Sequence, residues 1–233
     1  MISLMDQTKT AILRYLGRRE QYVPEALSCM LDECLALMQA AAAPRHVHMV
    51  VSALEDGNGV SLGKTGLVLL GKDITRHLRG CSRVVLMAAT LGAGADAIIR
   101  KWEHIDLTRA LVLDACASQL IEQYCDETEQ NIHADASVAG FAATRRTSPG
   151  YGDLPLDIQP QILDTLNACI KIGLTCTERL ILLPRKSVTA IIGLKRQACG
   201  SSVLAGKTEE PSPCLGCLIR CNFRKDEPTN ECS

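Results

Sequence analysis

"ERLILLPRKSVTAIIGL", Glu178 to Leu194, carries the reading that decides the fold. Two apolar runs, ERLILL and SVTAIIGL, flank Pro184, Arg185 and Lys186, and β-branched residues crowd the second run. Short apolar runs separated by a proline-containing break predict two strands joined as a hairpin, which is antiparallel by construction. Upstream, HVHMVVSAL (His46–Leu54), GLVLLG (Gly66–Gly71) and SRVVLMAAT (Ser82–Thr90) read as further strands, separated by glycine-rich turns and a short helix beginning near Asp73. Ser137–Arg146 reads as one more.

Helical patterns surround these runs. Residues 3–42 predict two helices, the first stopped by Gly17 and the second opened by Pro24, with Leu27, Met30, Leu31, Cys34, Met38 and Ala41 as a core stripe. The longest pattern spans Asp106 to about Ile132 and places Leu107, Ala110, Leu111, Asp114, Ala117, Ile121, Tyr124 and Cys125 near one face. A carboxylate on an apolar face must be paired or functional, and Asp114 is expected to hold a structural hydrogen bond. DIQPQILDTLNACIKIG predicts a helix ending at Gly173. Strands and helices mix without regular alternation. The expected class is α+β, with a mixed or antiparallel twisted sheet and flanking helices.

Composition narrows the function classes. The chain has 233 residues, 47% of them hydrophobic, and a net charge of −1, which gives no electrostatic reason to expect nucleic acid or an anionic membrane as a partner. The opening MISLMDQTKT lacks the basic and apolar regions of a signal peptide, and no apolar run reaches the roughly 18 residues of a spanning helix, so a cytoplasmic protein is expected. Seven of twelve cysteines (Cys29, Cys34, Cys81, Cys116, Cys125, Cys169 and Cys176) are dispersed through apolar or helical segments and read as small buried hydrophobes.

The most restrictive stretch is TRRTSPGYGDLPLDIQ, Thr144–Gln159. Pro149 confines Ser148 to extended conformations, and Pro149-Gly150 suits the middle of a type II turn, with glycine taking the positive φ. Such a turn sets Arg146 and Tyr151 on either side of a rigid arc. A guanidinium suits a forked carboxylate or phosphate, a tyrosine hydroxyl donates or accepts, and the backbone near Ser148 and Gly150 offers groups to a small polar ligand. A decorated turn with solvated arginines accounts for the same residues. Two other features carry less: His46 and His48 share a strand face at the cheap spacing of two, and LGAGAD after Thr90 misses both the dinucleotide and the P-loop patterns, which leaves a tight turn.

RTSPGYG, followed by IGLTCTERLILLPRKSVTAIIGL, resembles the activation domain of vitamin B12-dependent methionine synthase, and more closely its free-standing versions. The resemblance is strongest over Ala143–Leu194. It implies that the arginine-to-tyrosine element binds S-adenosylmethionine, with Arg146 on the ligand carboxylate, the backbone at Ser148 and Gly150 in contact, Tyr151 near the sulfonium, and an acidic residue of the preceding helix, matched here to Glu127. It also implies a subunit or activator that supports reductive remethylation of a corrinoid cofactor. The corrinoid signature Asp-x-His-x-x-Gly is absent, so cobalamin would come only through a partner, a corrinoid-binding methionine synthase or related protein. An electron donor such as flavodoxin or ferredoxin is implied as well.

From Cys199 the composition shifts toward Ser, Pro, Gly and charge; residues 1–195 are expected to form the activation-domain-like unit and 196–233 a cysteine-rich tail. Cys214, Cys217 and Cys221, with Cys199 upstream, have the close spacing that wraps one metal or cluster. A [4Fe-4S] cluster suits a reducing step because zinc carries no electron; zinc as a structural clip and a tail of incidental cysteines are the alternatives. A redox or docking protein without S-adenosylmethionine binding is the rival reading.

Overall fold

A computed structural model describes residues 4–17, 24–57 and 59–197. In chain order its elements are α1 (Leu4–Tyr15), α2 (Glu25–Ala41), β1 (Arg45–Glu55), β2 (Gly59–Leu62), β3 (Leu67–Leu70), α3 (Lys72–His77), β4 (Arg83–Thr90) and α4 (Ala93–Glu103). There follow α5 (Leu107–Val138), β5 (Phe141–Ala143), α6 (Gln159–Leu166), α7 (Ala168–Ile172), β6 (Thr175–Cys176), β7 (Leu182–Leu183) and β8 (Ser187–Arg196).

The organising strand is β4, whose apolar run leaves no face for water. Successive strand side chains point to opposite sides, so Val85, Met87 and Ala89 enter one core while Val84, Leu86 and Ala88 enter another. Both sides must be covered. The first core is filled by α1, α2, α4 and α5, the second by α3, α6 and α7, which makes a three-layer sandwich around the sheet. The strand order is β3-β2-β1-β4-β8-β5, and every pairing is antiparallel. The expected α+β class with a sheet and flanking helices holds.

Three local expectations are corrected. The runs around Pro184 do not form one hairpin: Leu182 and Leu183 pair back onto Cys176 and Thr175, while β8 lies between β4 and β5. A tight turn captures the first run, with Thr177 N donating to Ile181 O at 2.9 Å and Ile181 N to Thr177 Oγ1 at 3.1 Å. The second run is buried from Thr189 to Leu194 and therefore takes a central position. The strand expected at Ser137–Arg146 shrinks to Phe141–Ala143, because α5 continues to Val138 before Gly140, at φ +79°, turns the chain. The helix expected to run unbroken to Gly173 is interrupted at Asn167, which adopts a left-handed φ of +54°.

Asp114 is paired as expected, its Oδ1 lying 2.9 Å from Lys186 Nζ. The glycines of LGAGAD serve packing: a Cβ on Gly94 would stand 2.2 Å from the carbonyl oxygen of Ala41, so α4 meets the end of α2 only through glycine. The cysteines divide. Cys34, Cys116 and Cys125 are buried, Cys81 and Cys176 half-buried, and Cys29 and Cys169 exposed, contrary to a uniformly buried set. Burial pushes the Cys116 and Cys125 thiols up to about 12. A thiol that keeps its proton in the fold but loses it near 9 when unfolded stabilises fully below pH 9 and loses that contribution as pH rises toward 12. Thermal stability is therefore expected to fall steadily above pH 9. At pH 8 iodoacetamide should label Cys29 and Cys169 and spare Cys34, Cys116 and Cys125, as peptide mapping would show.

Candidate functional site

The arc after β5 forms the turn that its sequence dictates. Tyr151 N donates to Ser148 O at 3.2 Å, and Gly150 takes φ +88°, which makes Ser148–Tyr151 a type II turn. Gly150 N donates to Leu154 O at 2.9 Å, so the turn closes on itself, and Leu154 is buried in the second core. Three ties fix this arc to the fold. Thr147 exchanges both backbone hydrogen bonds with Ile191 of β8, at 2.9 and 2.7 Å. Thr144 Oγ1 accepts from Gly193 N at 2.9 Å and meets His77 Nε2 at 3.0 Å. The Asp153 carboxylate accepts from Lys72 N at 2.5 Å and Asp73 N at 3.0 Å, closing the start of α3 from 81 positions away.

Asp153 supplies the cap that α3 lacks in its own sequence, since no side chain at Gly71 can do so. Asp153→Ala is expected to cost about 0.5–2 kcal/mol, the usual range for a lost helix cap, and to loosen the arc. Chemical denaturation reads the first effect, and faster proteolytic cleavage within residues 148–158 the second.

Arg146 emerges between these ties and turns toward α5. Its Nη2 meets Glu122 Oε2 at 2.7 Å, its Nη1 meets Glu129 Oε2 at 2.6 Å, and Nη1 also bonds Asp126 Oδ1. Glu129 Oε1 accepts the Arg146 backbone N–H at 2.8 Å, so this carboxylate grips the residue twice. Positions 122, 126 and 129 follow helical spacing and fall on one face. Burial works against the guanidinium's charge, but the hydrogen bonds with Asp126 and Glu129 outweigh it and hold its pKa above the ordinary arginine value. The arginine is 18% exposed and Glu129 14%, whereas Asp126 is 60% exposed and forms the open rim. Three carboxylates about one guanidinium leave a net negative centre.

Of the residues singled out in the sequence, Arg146, Ser148, Gly150 and Tyr151 lie together on this arc. The Ser148 carbonyl and the Gly150 N–H are spent on the turn itself. Tyr151 is 70% exposed beside the cluster. Glu127 lies outside it: its side chain accepts from Gln123 Nε2 at 3.1 Å, on a neighbouring stripe of α5. Sequence reasoning missed Glu122, Asp126 and Glu129, although their spacing of four and three is a legible acidic stripe. It also missed Tyr15 at the end of α1, whose hydroxyl is pushed up to about 12 by burial and then by the negative fields of Glu122 and Tyr151. No local signal marks that residue.

Among the described residues no group of three His, Cys, Asp or Glu side chains stands close enough to hold a metal. Cys199, Cys214, Cys217 and Cys221 lie outside the described residues. No described helix is long and apolar enough to cross a membrane.

Comparison of the whole architecture supplies the decisive likeness. The solved MetH reactivation domain bound to AdoHcy superposes with a TM-score of 0.57 over 81% of this chain and 74% of that one, at 17% sequence identity. The fold is similar to that of a MetH reactivation domain. No protein-family model and no curated protein matches the sequence. At 17% identity the likeness lies in the arrangement of helices about the antiparallel sheet.

Proposed function

We propose that this chain binds S-adenosylmethionine and supports reductive remethylation of the corrinoid cofactor of a separate cobalamin-dependent methyltransferase, methionine synthase being the favoured partner. The observation that carries the reading is the Arg146–Tyr151 arc, held rigid beside a net negative cluster on the fold shared with a domain solved with AdoHcy. S-Adenosylmethionine carries a sulfonium, an ammonium and one carboxylate, so its net charge is positive and complements the cluster. Arg146 would take the ligand carboxylate in place of Asp126, the most exposed of its three partners. The released Asp126 and Glu122 would face the ammonium, and the Tyr151 ring would lie against the sulfonium. In this assignment the family's helix-borne carboxylate falls to the Glu122–Glu129 stripe in place of Glu127.

When bound, the ligand supplies an electrophilic methyl for the reduced cobalt of the partner and leaves as S-adenosylhomocysteine. The electron that reduces the cobalt comes from a donor such as flavodoxin or ferredoxin. This chain's own task is orientation, and no side chain moves a proton. The protein would act in the cytoplasm as an activator or subunit, with residues 1–195 as the ligand-binding domain. The tail from 196 would carry an iron-sulfur cluster on Cys199, Cys214, Cys217 and Cys221.

Calorimetry tests the ligand. S-Adenosylmethionine should bind the parent, and Tyr151→Ala should weaken it about 5–30-fold, the range of roughly 1–2 kcal/mol for a desolvated cation on an aromatic face. Absence of binding to the folded parent, with a corrinoid protein present, would end the reading. The engagement of Arg146 by three carboxylates favours a second reading, a redox or docking protein in which that cluster is purely structural. Anaerobic iron and labile-sulfide analysis separates the metal alternatives: zinc without iron removes the electron-transfer role of the tail.

A further inference from the structure

We propose a second, unrelated site: His46 and His48 of β1 chelate one divalent late-transition-metal ion of the copper, nickel or zinc type. Spacing of two places both imidazoles on one face of β1, and their rings stack with centroids 5.8 Å apart and planes 9° from parallel. His46 Nδ1 is engaged by Tyr124 Oη of α5 at 2.8 Å, which leaves Nε2 as the nitrogen for a metal. A hydrogen bond on the second ring nitrogen is the usual device that orients a ligating histidine. Space is available as well, because His46 and His48 are both exposed.

Metal–nitrogen bonds of about 2.0–2.1 Å require the two donor atoms to stand about 3 Å apart, so one ring must swing toward the other. His48 is exposed and makes that adjustment within its rotamer freedom. Two imidazoles suit copper, nickel and zinc and not calcium or magnesium, and two protein donors leave the remaining positions to water or to a partner's side chain. The site is exchangeable, and it stands apart from the S-adenosylmethionine reading.

The test uses the full chain with its accessible thiols alkylated by N-ethylmaleimide, so that the cysteines do not compete for metal. Titration with Cu(II), followed by electron paramagnetic resonance, should give one ion whose spectrum is split by two nitrogen nuclei. His46→Asn or His48→Asn should remove one nitrogen and weaken binding at least tenfold. Tyr124→Phe should keep both nitrogens but weaken binding about tenfold, the low end for a lost orienting partner. Both histidines are exposed, so their replacement leaves the fold intact, and circular dichroism confirms it. Unchanged affinity and splitting in the doubly substituted protein, or a spectrum showing sulfur donors, overturns the proposal.

Discussion

Arg146→Ala is expected to destabilise the protein by about 2–4 kcal/mol and, under the function proposed above, to remove S-adenosylmethionine binding. Breaking a buried ion pair by deleting one partner costs about 3–5 kcal/mol, and the solvent exposure of Glu122 and Asp126 discounts that figure. Glu129 sets most of what remains, since it is nearly buried and would lose the guanidinium while standing beside two like charges. Arg146→Lys should recover part of the stability but little of the binding, because an ammonium cannot serve a forked carboxylate. Urea denaturation and calorimetry on the same samples check both outcomes. A variant as stable as the parent would show that the three carboxylates are held by something other than this arginine.

Gly94→Ala carries the second large effect. The added methyl would lie 2.2 Å from Ala41 O, a backbone atom that no side-chain rotation can move aside. Overpacking costs about 1–3 kcal/mol, and a clash with backbone places this substitution at the upper end. The helix-forming advantage of alanine, worth about 1 kcal/mol at an unconstrained position, works in the opposite direction and is outweighed. Differential scanning calorimetry should show a clear fall in Tm. An unchanged or raised Tm would mean that α2 and α4 are not locked at this point.

The sheet was legible wherever residues carry a two-sided signal. SRVVLMAAT and SVTAIIGL are apolar without alternation, and both lie in the doubly covered centre, while HVHMVVSAL alternates and is covered on one face over most of its length. What stayed hidden was pairing. Nothing local distinguishes Leu182–Leu183 as the partner of Thr175–Cys176 from a partner of β8, because the choice depends on the turn closed by Thr177 and on how much burial each run demands. The site divided the same way. Pro149 and Gly150 announce a type II turn from chemistry alone, and the structure has it. The engagement of Arg146 by Glu122, Asp126 and Glu129 needed the relative placement of α5 and the arc, which separations of 17 to 24 residues do not reveal.

The bonds from Thr147 to Ile191 and from Thr144 to Gly193 have a consequence for the chain during its synthesis. Everything the arc leans on upstream, including α3 and α5, is made before it, but its brace on β8 is made afterwards. A ribosome that has just released residues 144–159 has released a segment with only its upstream half of the scaffold. The arc gains its brace on β8 only after residue 193 has cleared the exit tunnel, so a nascent chain halted short of β8 would keep the turn and its ties to α3 and α5 but lack the bonds that fix Thr144 and Thr147.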